Sequence, residues 1–262
     1  MGKATNATPK TFSHSTHRSP FATGVRISTV AFDLCQVCNK STIHVCTQCK
    51  SASYCSIICQ QADWPTHTLL CTAFSHFDAL NRPTNEHVRA IFFPVGNTTP
   101  EFVWLHCEWE DEDIGRYQYA KFEPLLGPET FTSQMVIQYN SVLKRELSDT
   151  IYLCHRDAFL FDGSETNKSV ASVTTTTPGL HHDWRGPIIA YGKVGVGIYK
   201  HACRDLDMTD FRHITDFLTS YNLKSTPAAQ QPIIAPLTMP ILAACIIAAL
   251  LVALSLKNTI TV

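Results

Sequence analysis

The sequence predicts an α+β fold in three parts: a small cysteine-rich module, a mixed strand and helix domain behind it, and an apolar helix at the C-terminus. Three observations predict it. Seven cysteines and His67 stand at regular spacings between Cys35 and Cys71. Five short aromatic and β-branched runs between Ala90 and Gly192 are followed by one amphipathic stretch. Twenty residues, Leu237 to Leu256, carry no charge.

The first segment, residues 1–30, mixes Thr, Ser, Lys and His with few large apolar residues and is expected to be disordered. It has no apolar core and is not a secretory signal. Met1-Gly2 invites myristoylation, but Asn6 stands where Ser or Thr is wanted.

The ligand string is Cys35-x2-Cys38-x7-Cys46-x2-Cys49-x5-Cys55-x3-Cys59-x7-His67-x3-Cys71. Eight thiol and imidazole ligands make two closed tetrahedral zinc sites, which build structure and leave no position for a reacting water. Cys-x2-Cys suits a tight knuckle. Cys55/Cys59 and His67/Cys71 are i, i+4 pairs, each on one helical face. Asp63 reads as an N-cap and Pro65 as a first-turn proline, which divides Ser56 to Cys71 into two short helices. An interleaved pairing is expected, Cys35, Cys38, Cys55 and Cys59 on one ion and Cys46, Cys49, His67 and Cys71 on the other. The spacing leaves sequential pairing open. His44 falls outside it. A disulfide cluster is the alternative, but such modules usually follow a signal peptide.

The run from Tyr54 to Cys71, YCSIICQQADWPTHTLLC, after two Cys-x2-Cys knuckles, closely resembles the MYND-type zinc finger. All eight ligand positions match, with Tyr54, Gln60 and Trp64. The resemblance covers 35–71 only. It implies a small protein-binding module whose surface takes short proline-containing peptides, with Gln60 and Trp64 helping to form it. Each of those two also has a structural reading: Trp64 as a cover for the zinc core, Gln60 as a backbone cap.

A second domain is expected over 77–223. Ala90–Val95 and Phe102–Cys107 read as adjacent strands, plausible as a hairpin. Gln134–Tyr139, Ile151–Cys154 and Pro187–Gly192 read as further strands. Phe211, Ile214, Leu218 and Tyr221 step by three and four, marking a helix from near Thr209. Gly163 to Gly179 reads as an irregular loop. Arg89 to Leu105, His155 to Val173 and His182 to Pro187 resemble the region downstream of the finger in fungal MYND-containing proteins. That resemblance suggests a lineage and supplies no activity.

MYND fingers can accompany a SET-type lysine methyltransferase, but no Asn-His-x-Cys-type motif or post-SET cysteine cluster is present. No His-Glu-x-x-His or deaminase pattern appears. His181, His182 and Asp183 could hold a metal in principle, yet neighbouring histidines diverge and a loop reading is preferred. The lysine and glycines of Tyr191 to Gly197 are not at phosphate-loop spacing and read as a glycine-containing strand turn. His155-Arg156-Asp157 resembles a kinase triplet by letters alone. An enzyme built on this domain would need His155, Asp157, His182 and Asp183 to converge.

Residues 224–236 read as a proline-containing linker. At helical rise, Leu237 to Leu256 is about 30 Å long, the thickness of a hydrocarbon core. It resembles a tail anchor that leaves the other parts on the cytoplasmic face of an intracellular membrane; a buried core helix is the alternative. The net charge is −1 and no long basic run is present, which argues against nucleic acid as a partner. Zinc thiolates suit a reducing compartment, where the sequons at Asn6, Asn39, Asn97 and Asn167 are chance matches. The sequence is therefore expected to encode a non-enzymatic adaptor with two zinc ions, a proline-containing protein partner and a membrane attachment. A transcriptional regulator of nucleus or cytoplasm, and an enzyme guided by the finger, are the competing expectations.

Overall fold

The structure is a computed structural model that describes residues 34–113, 115–127, 131–174, 182–196 and 202–221. The chain divides into two units, Met1–Ala31 and Phe32–Val262, and every described residue lies in the second. The expected disordered segment 1–30, the linker 224–236, the apolar segment 237–256 and His181 lie outside the described residues.

The cysteine-rich part opens with a two-stranded ladder, β1 (His44–Val45) against β2 (Ser53–Tyr54). Helix α1 follows, Ile57–His76. Ser56 caps it by accepting the Cys59 N–H at 3.2 Å. The expected division into two short helices is overturned, because α1 runs unbroken with Pro65 inside it. Proline deprives only the Gln61 carbonyl of a donor, and both residues are exposed, so water can take that carbonyl. Asp63 is buried mid-helix rather than capping: the Tyr54 hydroxyl donates to it at 2.7 Å and Arg212 at 2.7 Å. Cys55 precedes the cap, so Cys59 alone of that pair is helical.

Behind it stands a seven-stranded antiparallel sheet. Its strands are β3 (His87–Phe93), β4 (Glu101–Glu112), β5 (Gly115–Ala120), β6 (Thr132–Asn140), β7 (Arg145–Arg156), β8 (Ile188–Lys193) and β9 (Cys203–Arg204). The order is β5-β4-β3-β8-β7-β6, with β9 against the end of β8. All five expected strands are present, and β3 and β4 form the expected hairpin. Central β8 is buried at every position, which is why Ile188 to Tyr191 is apolar without alternation. Gly192 lies within β8, paired with Ile151, so the expected turn begins only beyond it.

Alternate residues build two cores. Ile91, Phe93, Ile151, Leu153, Ile188 and Ala190 face one cluster, which is covered by α4 (Met208–Ser220) and α3 (Lys168–Thr174). Helix α4 carries Phe211, Ile214 and Leu218 into it, as their spacing predicts. Each such side chain contributes roughly 2–3 kcal/mol by leaving water. Ala90, Leu105, Cys107, Cys154, Ile189 and Tyr191 face the second cluster with Phe122 and Leu126, beside the short α2 (Glu123–Leu126). Helix α3 corrects the expectation of an irregular loop over Gly163 to Gly179: Asn167 caps it, accepting the Val170 N–H at 2.8 Å.

The first cluster also contains Cys35, Cys46, Cys49, Tyr54, Leu70 and Cys71. The cysteine-rich part and the sheet therefore share one core. Phe74 meets Phe102 edge-on at 5.5 Å, and the Arg89 guanidinium lies over Phe74 at 4.3 Å.

Candidate functional site

Two ligand groups form in the cysteine-rich part. Cys35, Cys38, Cys55 and Cys59 gather in one; Cys46, Cys49, His67 and Cys71 gather in the other. Within each group all ligand atoms lie within 4.8 Å of one another, and the pairing is interleaved. His44 lies on exposed β1, outside both.

Local geometry explains the convergence. In each knuckle the residue after the second cysteine turns into the left-handed region, Asn39 at φ 61° and Lys50 at φ 54°. Their N–H groups return to the first cysteine's carbonyl, Asn39 to Cys35 at 3.2 Å and Lys50 to Cys46 at 2.9 Å. Asparagine tolerates this conformation; at Lys50 it costs about 1 kcal/mol. Helix α1 then supplies Cys59, and two turns later His67 and Cys71.

Zinc–sulfur bonds near 2.3 Å in a tetrahedron put ligand atoms roughly 3.8 Å apart. Cys38 and Cys55 stand at 3.3 Å, Cys55 and Cys59 at 3.6 Å, and Cys38 and Cys59 at 3.8 Å. Cys46 and Cys71 stand at 3.7 Å, and Cys49 Sγ and His67 Nε2 at 3.8 Å. The donor sets fit two zinc ions with no ligand to spare. Burial lowers the His67 pKa, so its imidazole is neutral and has a lone pair to offer. The bond to Cys38, with burial behind it, pushes Cys55 up to about 12, and burial with the bond to Cys46 pushes Cys71 to about 12. Without metal these thiols keep their protons, so zinc binding releases protons and tightens as pH rises.

Asp63 ties this module to the sheet. Its buried carboxylate takes the Tyr54 hydroxyl and the Arg212 guanidinium of α4, and Arg212 also holds Asp216 at 2.9 Å. Burial and the Asp63 charge raise the Tyr54 pKa, keeping it a donor. The spacing-based reading missed this role because the partner is 149 residues away. Ser51 Oγ accepts the Met208 N–H at 3.1 Å, adding a second tie.

The two expected peptide-contact residues lie on α1. Trp64 is 48% exposed, with its ring tilted over His67 at 5.9 Å. Gln60 is half-buried; its backbone N–H donates to the Ser56 carbonyl at 3.1 Å, and its side-chain amide makes no hydrogen bond to the described residues. Ile57 and Ile58 are exposed at the start of the same helix.

Of the residues weighed for catalysis, His155 and His182 share one aromatic cluster, both packing on Phe159, at 5.2 and 5.7 Å, and on Trp184. His155 is buried, its Nδ1–H donating to the Arg156 carbonyl at 2.9 Å. His182 packs edge-on to Trp184 at 4.7 Å. Asp157 is exposed, and Asp183 pairs with Arg185 at 2.6 Å. Among the described residues these four form no metal-holding group. A polar cleft of about 420 Å³ lies elsewhere, walled by Ser51, Arg145, Asp149, Arg204, Asp207 and His213. Its charges are engaged: Arg204 meets Asp149 at 3.1 Å and Asp210 at 2.7 Å, and Arg145 donates to His213 at 2.9 Å.

Residues 35–71 match the MYND finger family. The chain is 46% identical over 46 residues to ubiquitin carboxyl-terminal hydrolase 19 of Arabidopsis thaliana, which is 17% of this chain and 7% of that protein. It is 37% identical over 60 residues to N-lysine methyltransferase SMYD2-A of Xenopus laevis, 22% of this chain and 14% of that protein. The counterpart from Danio rerio is 44% identical over 41 residues, 15% of this chain and 9% of that protein. The chain thus spans a seventh or less of the length of the curated relatives it matches. No solved structure matches. Residues 35–71 are a MYND finger with two zinc-binding groups, a protein-interaction module.

Proposed function

We propose that the protein is a non-enzymatic adaptor whose finger docks a short proline-containing peptide of a protein partner against Gln60 and Trp64. The observation that carries this reading is Trp64, a large aromatic ring left 48% exposed on a helix that zinc holds through His67 and Cys71. An indole face suits the flat, pre-formed ring of proline in an extended peptide, and a rigid tryptophan is the residue type that concentrates binding energy. The free Gln60 amide can hydrogen-bond a peptide backbone beside it.

Screening the full zinc-loaded chain against an array of proline-containing peptides, and titrating the best one, tests this. Trp64→Ala should weaken binding about tenfold or more, on the order of 1.4–2 kcal/mol, with zinc content unchanged by elemental analysis. Equal binding by parent and variant, or binding indifferent to proline, would overturn the reading.

The reading also places the protein on the cytoplasmic face of an intracellular membrane, anchored by Leu237–Leu256, whose length and lack of charge suit a span. Among the described residues no helix is long and apolar enough to cross a membrane, and the segment lies outside them. Deleting 237–262 should move the protein from a carbonate-washed membrane pellet to the supernatant. Full-length protein in the carbonate wash would sink the anchor.

A further inference from the structure

The two zinc groups are alike in ligand spacing and unlike in exposure. In the second group Cys46, Cys49, His67 and Cys71 are all buried. The Trp64 ring lies over His67, and Tyr54 meets the same imidazole edge-on at 6.1 Å. In the first group Cys35 alone is buried; Cys38 is exposed, and Cys55 and Cys59 are partly exposed. Local structure explains the difference. Cys35 lies inside its knuckle and takes the Val37 N–H on its sulfur at 3.5 Å, whereas Cys38 ends the knuckle at the surface. Cys55 stands before the cap of α1, close in sequence to exposed Ile57 and Ile58. Cys38 Sγ and Cys55 Sγ are 3.3 Å apart, nearer than Cys38 and Cys59 at 3.8 Å. Charge adds to exposure. Around a divalent ion, four thiolates leave the first group with one more negative charge than three thiolates and a neutral imidazole leave the second, so its sulfurs are the more electron-rich.

We propose that the first group is an oxidant-reactive site, where a hydroperoxide converts Cys38 and Cys55 to a reversible disulfide and frees one zinc ion while the second group keeps its own. Exposure assigns the roles. Cys38 is the sulfur a peroxide in water can reach, and Cys55 is the neighbour that resolves it. The Cys38 thiolate attacks one peroxide oxygen and the O–O bond breaks; the leaving hydroxide takes a proton from solvent to become water. That leaves a sulfenic acid on Cys38. The Cys55 thiolate attacks the Cys38 sulfur, the S–O bond breaks, and the departing hydroxide takes a second solvent proton. Two thiolates give up two electrons and one peroxide accepts them. Left with Cys35 and Cys59, the first group no longer closes around its ion, which passes to solvent. His67 and Cys71 still hold α1 beneath Trp64, because the second group presents no exposed sulfur. The site is separate from the peptide-docking face of Gln60 and Trp64.

The test adds equimolar hydrogen peroxide to the full, zinc-loaded chain and reads released zinc with an indicator too weak to strip the untreated protein. Remaining thiols are then blocked, the chain is digested without reduction, and cross-links are mapped by mass spectrometry. The expected result is one zinc ion released per oxidised chain and a peptide pair joined through Cys38 and Cys55, both reversed by a phosphine reductant with zinc resupplied. A brief maleimide pulse on the untreated, zinc-loaded chain gives a second measurement. Cys38 should label about tenfold faster than Cys46, Cys49 or Cys71. Release of both ions in step, a first disulfide between any other pair of cysteines, or equal labelling of the two groups would overturn the proposal. Every readout uses the parent chain, so none depends on the folding of a variant or on peptide binding.

Discussion

Two groups of α4, its N-cap Asp207 and mid-helix His213, pull stability in opposite directions as pH changes. Burial, with Asp210 beside it, raises Asp207 to about 6 from the ordinary 3.8. Burial and the Arg145 charge lower His213 to about 4 from 6.5. A raised carboxyl binds its proton more tightly in the folded state, so its contribution is present below about pH 4 and is lost as pH rises through 6. The lowered histidine does the reverse: its contribution is present above about pH 6.5 and is lost as pH falls toward 4. Over that window the two oppose each other. Asp207→Asn removes one of them and keeps an acceptor for the Thr209 and Asp210 N–H groups, which Asp207 holds at 2.8 and 3.0 Å. The variant should gain on the parent as pH rises from 4 to 6, reaching about 2–3 kcal/mol and constant above. Urea unfolding of both proteins with zinc present reads the difference, and a difference flat across pH would refute the assignment. The eight ligands were legible as residues, because thiols and an imidazole at those spacings serve little else than a soft metal. Asp207 and His213 were not, since their neighbours come from strands and loops distant in sequence.

At the scale of elements, legibility followed burial. Strands β3, β4, β6, β7 and β8 each carry an apolar run that the sheet buries, and each was readable. Strand β5, GRYQYA, was not, because Gln118 occupies a buried position to serve the Cys107 and Cys203 backbones rather than to pack. Helix α3 was hidden by the Ser and Thr residues around it, which favour turns unless something fixes the first one. Asn167 fixes it. Its side-chain oxygen caps α3, while Nδ2 donates to the Phe93 and Gly186 carbonyls at 2.9 and 2.7 Å. That buried amide also disposes of the sequon at this position: Asn167 is 1% exposed and fully engaged in the fold. In α1 the opposite error arose. Asp63 and Pro65 are good start signals locally, but Tyr54 and Arg212 give Asp63 a stronger use inside the helix.

Across the whole molecule, zinc does more than close a short peptide. Cys35, Cys46, Cys49 and Cys71 are buried in the same cluster as Ile91, Ile151 and Phe211, and Arg212 of α4 reaches Asp63 of α1. Removing the ions frees eight ligands, four of them buried cysteines of that shared core, and the finger is too small to hold its shape by apolar burial alone. Its loosening would leave Arg212 with Asp216 alone and uncover Phe74 against Phe102. Zinc occupancy and stability of the sheet are therefore linked, since a ligand bound only by the folded form stabilises everything that folds with it. A strong chelator under reducing conditions should lower the melting midpoint of the whole body by an amount on the order of 10 °C. Near-ultraviolet circular dichroism reports it, because Trp104 and Trp184 lie outside the finger and Trp184 is buried. Those signals should melt together with the finger in one transition when zinc is present. If the Trp104 and Trp184 signals melt at the same temperature with and without zinc, the shared core does not couple the two parts, and the finger is a passenger on the sheet.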